Sequence, residues 1–269
     1  MTTVDVGTGT LAVERSGVEG GPPLLMIMGM SGTALHWGEP FLEHLRRDFD
    51  VITFDHRGVG ASSRLEGEIT TAEMATDAAA LLDALGVPSA HVLGISMGGM
   101  IAQELALARP ELVRTLALGC TYCGGPDAEL THPSVLERLN EAMASGDRER
   151  AIRVGWEVNV SPAFAADDQA WQRFRDVAAQ RAVAVPVVLA QLRACGAHDT
   201  HARLGELEMP TLVAHGTLDE MLPVGNGRQI AALIAGSELE IFDEVGHLFF
   251  WEQPERSAEL LRAHAAVHA

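Results

Sequence analysis

The sequence predicts an α/β fold built on a mostly parallel sheet. Three observations carry that prediction. Short, unbroken apolar runs are bounded by Gly, Pro or Asp. Amphipathic stretches of helical period lie between them. A small-residue turn, Gly94-Ile95-Ser96-Met97-Gly98, sits between one such run and one such helix. Repeated strand–helix units imply parallel strands covered by helices on both faces.

Taken in order, residues 10–15 predict an antiparallel edge strand. The runs 24–28, 51–54, 91–95, 115–118 and 211–214 read as buried strands, with a last one over 238–243. Helical patterns occupy 41–47, 72–85, 100–108, 225–234 and 254–267. Thr71, with Glu73 and Met74 behind it, resembles a helix start. Pro88 and Pro110 mark helix exits. Between Tyr122 and Leu207 the rhythm breaks and no strand pattern appears. Four helices are predicted there instead, over about 134–145, 148–158, 167–182 and 186–194. Gly124-Gly125-Pro126 opens this stretch and Met209-Pro210 closes it. The layout is a core of residues 1–122 and 208–269, with a helical cap of residues 123–207 inserted after strand 6.

The 269 residues can bury a sizeable core, and 47% hydrophobic with 21% charged residues is a globular composition. The formal charge of −18 argues against nucleic acid and against an anionic membrane face as partners. The first residues lack a basic start and an apolar run, so no signal peptide is expected. No apolar stretch approaches the length of a membrane span. Three cysteines, Cys120, Cys123 and Cys195, suit a reducing, cytoplasmic compartment. In that compartment the sequon Asn159-Val160-Ser161, followed by Pro162, is idle.

The chemistry centres on Ser96. A serine on a tight strand-to-helix turn must take strained dihedrals to present its hydroxyl, and Gly94 and Gly98 relieve the crowding two residues to either side. A serine hydroxyl needs a base to take its proton and a carboxylate to orient that base. His247, in Val245-Gly246-His247 after the last strand, is the candidate base. Asp219, after strand 211–214, is the candidate acid, with Glu220 as fallback. His264 and His268, on the terminal helix or tail, read as solvated surface. Asp243 and Glu244 lie too close to His247 in sequence to reach its far ring nitrogen. Acyl transfer also needs two N–H donors for the oxyanion. Met97, after the nucleophile, and Met30, in the loop after strand 24–28, are the candidates.

These residues resemble the α/β-hydrolase superfamily along nearly the whole chain. The resemblance rests on Met28-Gly29-Met30 with Trp37, on Asp55-His56-Arg57-Gly58-Val59-Gly60-Ala61-Ser62, on the Ser96 turn, on Asp219 and on Gly246-His247. It is nearest to small esterases, 3-oxoadipate enol-lactonases and the aclacinomycin methylesterase type. It implies a sheet of about eight strands. Many relatives carry His before the oxyanion Gly, where this chain has Met28. That departure leans towards the methylesterase-like group.

Other patterns read as structural. Gly58-Val59-Gly60-Ala61-Ser62-Ser63 lacks the third Gly and the following helix of a dinucleotide loop. Gly7-Thr8-Gly9 precedes a strand, the wrong order for phosphate binding. Cys120-Thr121-Tyr122-Cys123 is followed by Gly124-Gly125-Pro126 and not by a helix, so packing at the mouth of the site is expected and not redox chemistry. His198, Asp199 and His201 lack metal-ligand spacing. Met28 and Trp37 are candidate substrate contacts, with core packing the alternative for Trp37.

The expected function is hydrolysis of a small, partly apolar carboxylic ester through an acyl-enzyme, with no cofactor and no metal. A lactonase, a carbon–carbon bond hydrolase and a non-catalytic ligand receptor on the same scaffold are the alternatives. The expected partner is a small ester or lactone, and a homodimer stays open.

Overall fold

The structure is a computed structural model that describes residues 1–180 and 183–267. Eight strands form one sheet: β1 (Thr2–Asp5), β2 (Thr10–Gly17), β3 (Pro23–Ile27), β4 (Asp50–Phe54), β5 (Ala90–Ile95), β6 (Val113–Gly119), β7 (Thr211–Gly216) and β8 (Glu238–Phe242). Their spatial order is β1-β2-β4-β3-β5-β6-β7-β8. β2 pairs antiparallel with both β1 and β4, and every later pair is parallel. The edge therefore differs from the sequence reading. The strand expected at the edge is second in the sheet, and β1 lies outside it. β1 is four mostly exposed residues, Thr2-Thr3-Val4-Asp5, with no apolar run to reveal it.

Helices join and cover the strands. α1 (Glu39–Leu45) follows β3, α2 (Thr71–Ala84) follows β4, and α3 (Met97–Ala108) follows β5. Thr70 caps α2: its side chain accepts from the Glu73 N–H at 3.1 Å, while the Glu73 carboxylate accepts from the Thr70 N–H at 2.8 Å. Between β6 and β7 run α4 (Pro133–Ala144), α5 (Arg148–Glu157), α6 (Pro162–Ala165), α7 (Asp168–Gln180) and α8 (Val185–Gly196). The short α6 has no counterpart in the sequence reading, because four residues are too few for a period. The predicted end of the helix over 167–182 lies outside the described residues, as does His268. α9 (Gly225–Leu233), α10 (Phe249–Glu252) and α11 (Pro254–Val267) complete the chain. No single helix among the described residues is long and apolar enough to cross a membrane.

β3 shows why its sequence is unbroken apolar. Leu25 and Ile27 enter the core on the side of α2, α3 and α9, with Leu81, Ile101 and Ile230. Leu24 and Met26 enter the core on the side of α1 and α11, with Phe41, Leu45 and Leu261. A strand buried on both faces has no polar side to alternate with. His264 departs from its expected surface position. It is 4% exposed on α11 and its Nδ1 lies 3.2 Å from the Glu238 carboxylate. The helix period places it on the face against the sheet.

The strand order reverses around β3: β4 lies on one side of it and β5 on the other. In open α/β sheets ligands bind at such a switch, beyond the carboxyl ends of the strands. The loops leaving β3 and β5 there carry Met28–Met30 and Ser96.

Candidate active site

Ser96 is the hinge between β5 and α3, with φ 55° and ψ −124°. That strained conformation is over-determined by its surroundings. The Ser96 N–H donates to Gly119 O at 2.9 Å, and the Thr121 hydroxyl donates to Ser96 O at 2.7 Å. A Cβ on Gly94 would come 2.2 Å from Gly98 O, and one on Gly98 would come 1.9 Å from Ile27 O. Only glycine lets the turn close on itself and seat against β3. Ser96 itself is half-buried on a cavity of about 170 Å³.

His247 and Asp219 meet from separate loops. His247 Nδ1 lies 2.7 Å from Asp219 Oδ2, with both side chains buried. Asp219 Oδ1 accepts the N–H groups of Met221 (2.9 Å) and Leu222 (2.8 Å). Burial by itself pushes the Asp219 carboxyl up. The charge of His247 and hydrogen bonds from His215 and His247 outweigh it and hold the group well below the usual carboxylate range. An ionised Asp219 can only accept, so His247 Nδ1 is the donor in this pair, and in the neutral ring the lone pair is on Nε2. His247 lines the same cavity as Ser96. No Ser96–His247 hydrogen bond is formed among the described residues; such contacts are commonly long without substrate. Glu220, the alternative acid, is exposed and pairs with Arg138 at 3.1 Å. Asp243 and Glu244 are exposed.

The oxyanion candidates lie on two elements. The Met97 N–H heads α3, where no earlier carbonyl of the helix can accept it. Met30 lines the cavity, and its N–H has no acceptor among the described residues. The loop around it is braced. Asp55 Oδ1 accepts the Ala34 N–H at 2.8 Å, Asp55 Oδ2 accepts the Ala61 N–H at 3.0 Å, and His56 Nε2 donates to Met28 O at 2.9 Å. The turn that superficially resembles a nucleotide loop thus serves to fix this loop.

Met28 lines the cavity; Trp37 does not. Trp37 is fully buried, its ring 5.0 Å from Phe250 and 6.2 Å from Phe41. The substrate contact expected of Trp37 is therefore corrected. Ala34–Trp37 is a 3₁₀ turn, whose successive side chains point about 120° apart. It sends Trp37 into the core and its neighbour His36 to the cavity. His36, Asn159, Phe174 and Met221, which no local sequence pattern marks as site residues, also line the cavity. Asn159, in the turn after α5, and Phe174, on α7, come from the insertion, whose approach no local pattern encodes.

Cys120 is also corrected. It lies behind Asp219 and not at the mouth, fully buried at φ 40°. Burial, and then the charge of Asp219, raise its thiol well above the ordinary range. Ligand atoms of Cys120, His215 and Asp219 lie within 4.8 Å of one another. That set is already engaged: Asp219 accepts from His247, Met221 and Leu222, and His215 Nε2 lies 2.7 Å from Leu222 O. His198 is buried, bonds Thr71 at 3.1 Å and belongs to no potential metal-ligand cluster among the described residues.

One further group ties the inserted helices to the His247 loop. Glu252 Oε1 accepts the N–H of Gly246 (2.7 Å) and of Ser161 (2.8 Å), and Glu252 Oε2 accepts the Ser161 hydroxyl. Beside it the Leu248 N–H donates to Asn159 O at 2.8 Å.

Known proteins of similar sequence and shape agree with this architecture. The chain is 32% identical to a protein of Azorhizobium caulinodans provisionally named carbamate hydrolase RutD, over 90% of each chain. It is 31% identical to the poly(3-hydroxyalkanoate) depolymerase of Ectopseudomonas oleovorans, over 89% of this chain and 82% of that one. Among solved structures, a thermophilic esterase from Thermogutta terrifontis superposes with a TM-score of 0.79 at 26% identity, covering 100% of this chain and 99% of that one. The model of the alpha/beta hydrolase fold family matches residues 22–254, from just ahead of β3 to the start of α11, and the chain belongs to that family.

Proposed function

We propose that this protein is a serine esterase that cleaves small, partly apolar carboxylic esters. The observation that carries the reading is the 2.7 Å contact of His247 Nδ1 with an ionised Asp219, on the cavity that Ser96 lines. The Ser96 oxygen attacks the ester carbonyl carbon while His247 Nε2 takes the hydroxyl proton. The N–H groups of Met30 and Met97 hold the oxyanion. The tetrahedral intermediate collapses, His247 Nε2–H protonates the leaving alkoxide, and the acyl group stays on Ser96. Water then gives a proton to His247 and attacks the acyl carbon, releasing the acid and restoring the Ser96 hydroxyl. Residues 123–207 serve as a cap, since Asn159 and Phe174 of that stretch help wall the cavity.

The depolymerase and esterase relatives support ester cleavage. The carbamate hydrolase relative favours one second reading: the same steps on a carbamate carbonyl. A panel of p-nitrophenyl esters, lactones and aryl carbamates on wild type, Ser96→Ala and Asp219→Asn tests both. Ester turnover is expected to lead the panel and to fall on the order of 10⁴-fold in each variant. Unchanged turnover in Ser96→Ala overturns the mechanism. Carbamate turnover ahead of every ester replaces the first reading with the second.

A further inference from the structure

His36 is a polar group on the cavity wall that the hydrolytic steps leave unused. Its tautomer is fixed by the fold. The backbone N–H of Thr33 donates to His36 Nδ1 at 3.0 Å, and the Thr33 hydroxyl lies 3.0 Å from the same nitrogen. A backbone N–H can only donate, so Nδ1 holds its lone pair and the neutral ring carries its proton on Nε2. The ring stays neutral: burial lowers its pKa to about 4, against a weaker upward pull from Thr33 and Asp55.

The ring is also held in place. The His36 carbonyl accepts Trp251 Nε1–H at 2.7 Å, the Ala34 N–H two residues back is bound by Asp55, and the Phe174 ring meets His36 edge-on at 6.0 Å and 79°. His36 lines the cavity, its Nδ1 is taken by the loop, and its Nε2 has no partner among the described residues. The rest of that wall is mainly apolar: Met28, Met30, Ile95, Phe174, Met221 and Leu248. A fixed donor in an apolar wall is left unpaired when a bound ligand displaces water from it without supplying an acceptor, so a site built that way discriminates against ligands lacking one.

We infer that His36 is a specificity-determining donor: its Nε2–H binds an oxygen acceptor on the acyl or alkoxy chain, so the preferred substrates are small oxygenated esters and not plain alkyl esters. The inference rests on the serine hydrolase reading above.

Two isosteric substrate pairs test it. On the acyl side, p-nitrophenyl 4-oxopentanoate is compared with p-nitrophenyl 4-methylpentanoate. On the alkoxy side, the 2-methoxyethyl ester of an acid is compared with its butyl ester. The kcat/KM ratio within each pair is measured for wild type, His36→Asn and His36→Gln. Asn keeps an acceptor for the Thr33 N–H and lacks the far donor, whereas Gln keeps a far donor. In at least one pair wild type is expected to favour the oxygenated ester on the order of tenfold. His36→Asn should bring that ratio near one and His36→Gln should retain most of it. Comparing ratios between variants cancels the intrinsic reactivity of the esters. If thermal melting shows that His36→Asn does not fold, His36→Phe, which keeps the packing on Phe174, takes its place. A wild-type preference absent from both pairs, or one that survives loss of the donor, overturns the inference and leaves the hydrolase reading standing. Activity persisting in Ser96→Ala instead removes the reading on which it rests.

Discussion

The Glu252 carboxylate binds Ser161 twice, through the Ser161 backbone N–H at 2.8 Å and through its hydroxyl. The oxygen that takes the Ser161 N–H also takes the N–H of Gly246, next to His247. One side chain therefore joins the segment between α5 and α6 to the loop that carries the candidate base. A Cβ on Gly246 would come 2.7 Å from Val160 Cα, so the two segments are in contact as well as bonded.

Glu252→Ala should accordingly loosen both the cavity wall and the placement of His247. The expected outcome is a fall in kcat/KM on the order of 10²-fold, felt in kcat as well as KM, because a misplacement of about 1 Å is enough to cost that much. Glu252→Gln keeps one acceptor oxygen and should recover part of the loss. Steady-state kinetics on one p-nitrophenyl ester, with melting temperatures as a fold control, check this. An Ala variant with wild-type kcat and a raised KM alone would limit Glu252 to holding the wall.

The thiols make a second prediction. Burial raises all three: Cys120 well above its ordinary range, Cys123 to about 11 and Cys195 to about 12. The thiolate is the reactive form. The native protein should leave all three thiols unlabelled by Ellman's reagent at neutral pH, and unfolding should release three equivalents. Rapid native labelling would contradict the suppression of the thiolates, and fewer than three equivalents without reductant would point to a disulfide between Cys120 and Cys123.

A third prediction concerns pH. His56, His91 and His198 are buried, and burial lowers the pKa of each, to about 4 for His91 and His198. In the unfolded chain they titrate near 6.5. Between about pH 4 and 6.5 the unfolded state therefore binds more protons than the native state, so stability is full above the window and falls as pH drops through it. The slope is at most about 1.4 kcal/mol per pH unit for each histidine. Asp219, held low in the native state, adds its own loss only below about pH 4. Urea midpoints across the window should decline towards acid, and His198→Gln should flatten the curve. A flat wild-type profile would contradict the neutral, buried state of these rings.

Much of the fold is legible in the sequence because its signals are local. A strand buried on both faces reads as a near-continuous apolar run, as β3 does throughout and as β5 and β7 do over residues 92–95 and 212–214. Ser96 is legible for the same reason: strained dihedrals and close backbone contacts confine Gly94 and Gly98 to glycine within five residues. β1 and α6 escape notice because four residues carry neither period nor composition.

The site divides along the same line. Local patterns set the order of the elements, the strained serine turn and the short set of polar residues at the ends of the strands. Which of those residues meet depends on packing between distant segments. Asp219 and Glu220 are adjacent in the chain, yet Asp219 turns inward to His247 and Glu220 outward to Arg138. His36 and Trp37 are adjacent too, and one turn sends the first to the cavity and the second to the core. Local sequence specifies backbone geometry through steric and hydrogen-bonding rules that act over a few residues. The direction of a single side chain depends on what packs against it from distant segments, here Glu252 with Ser161 and Phe174 with His36, and those contacts exist only once the chain has folded.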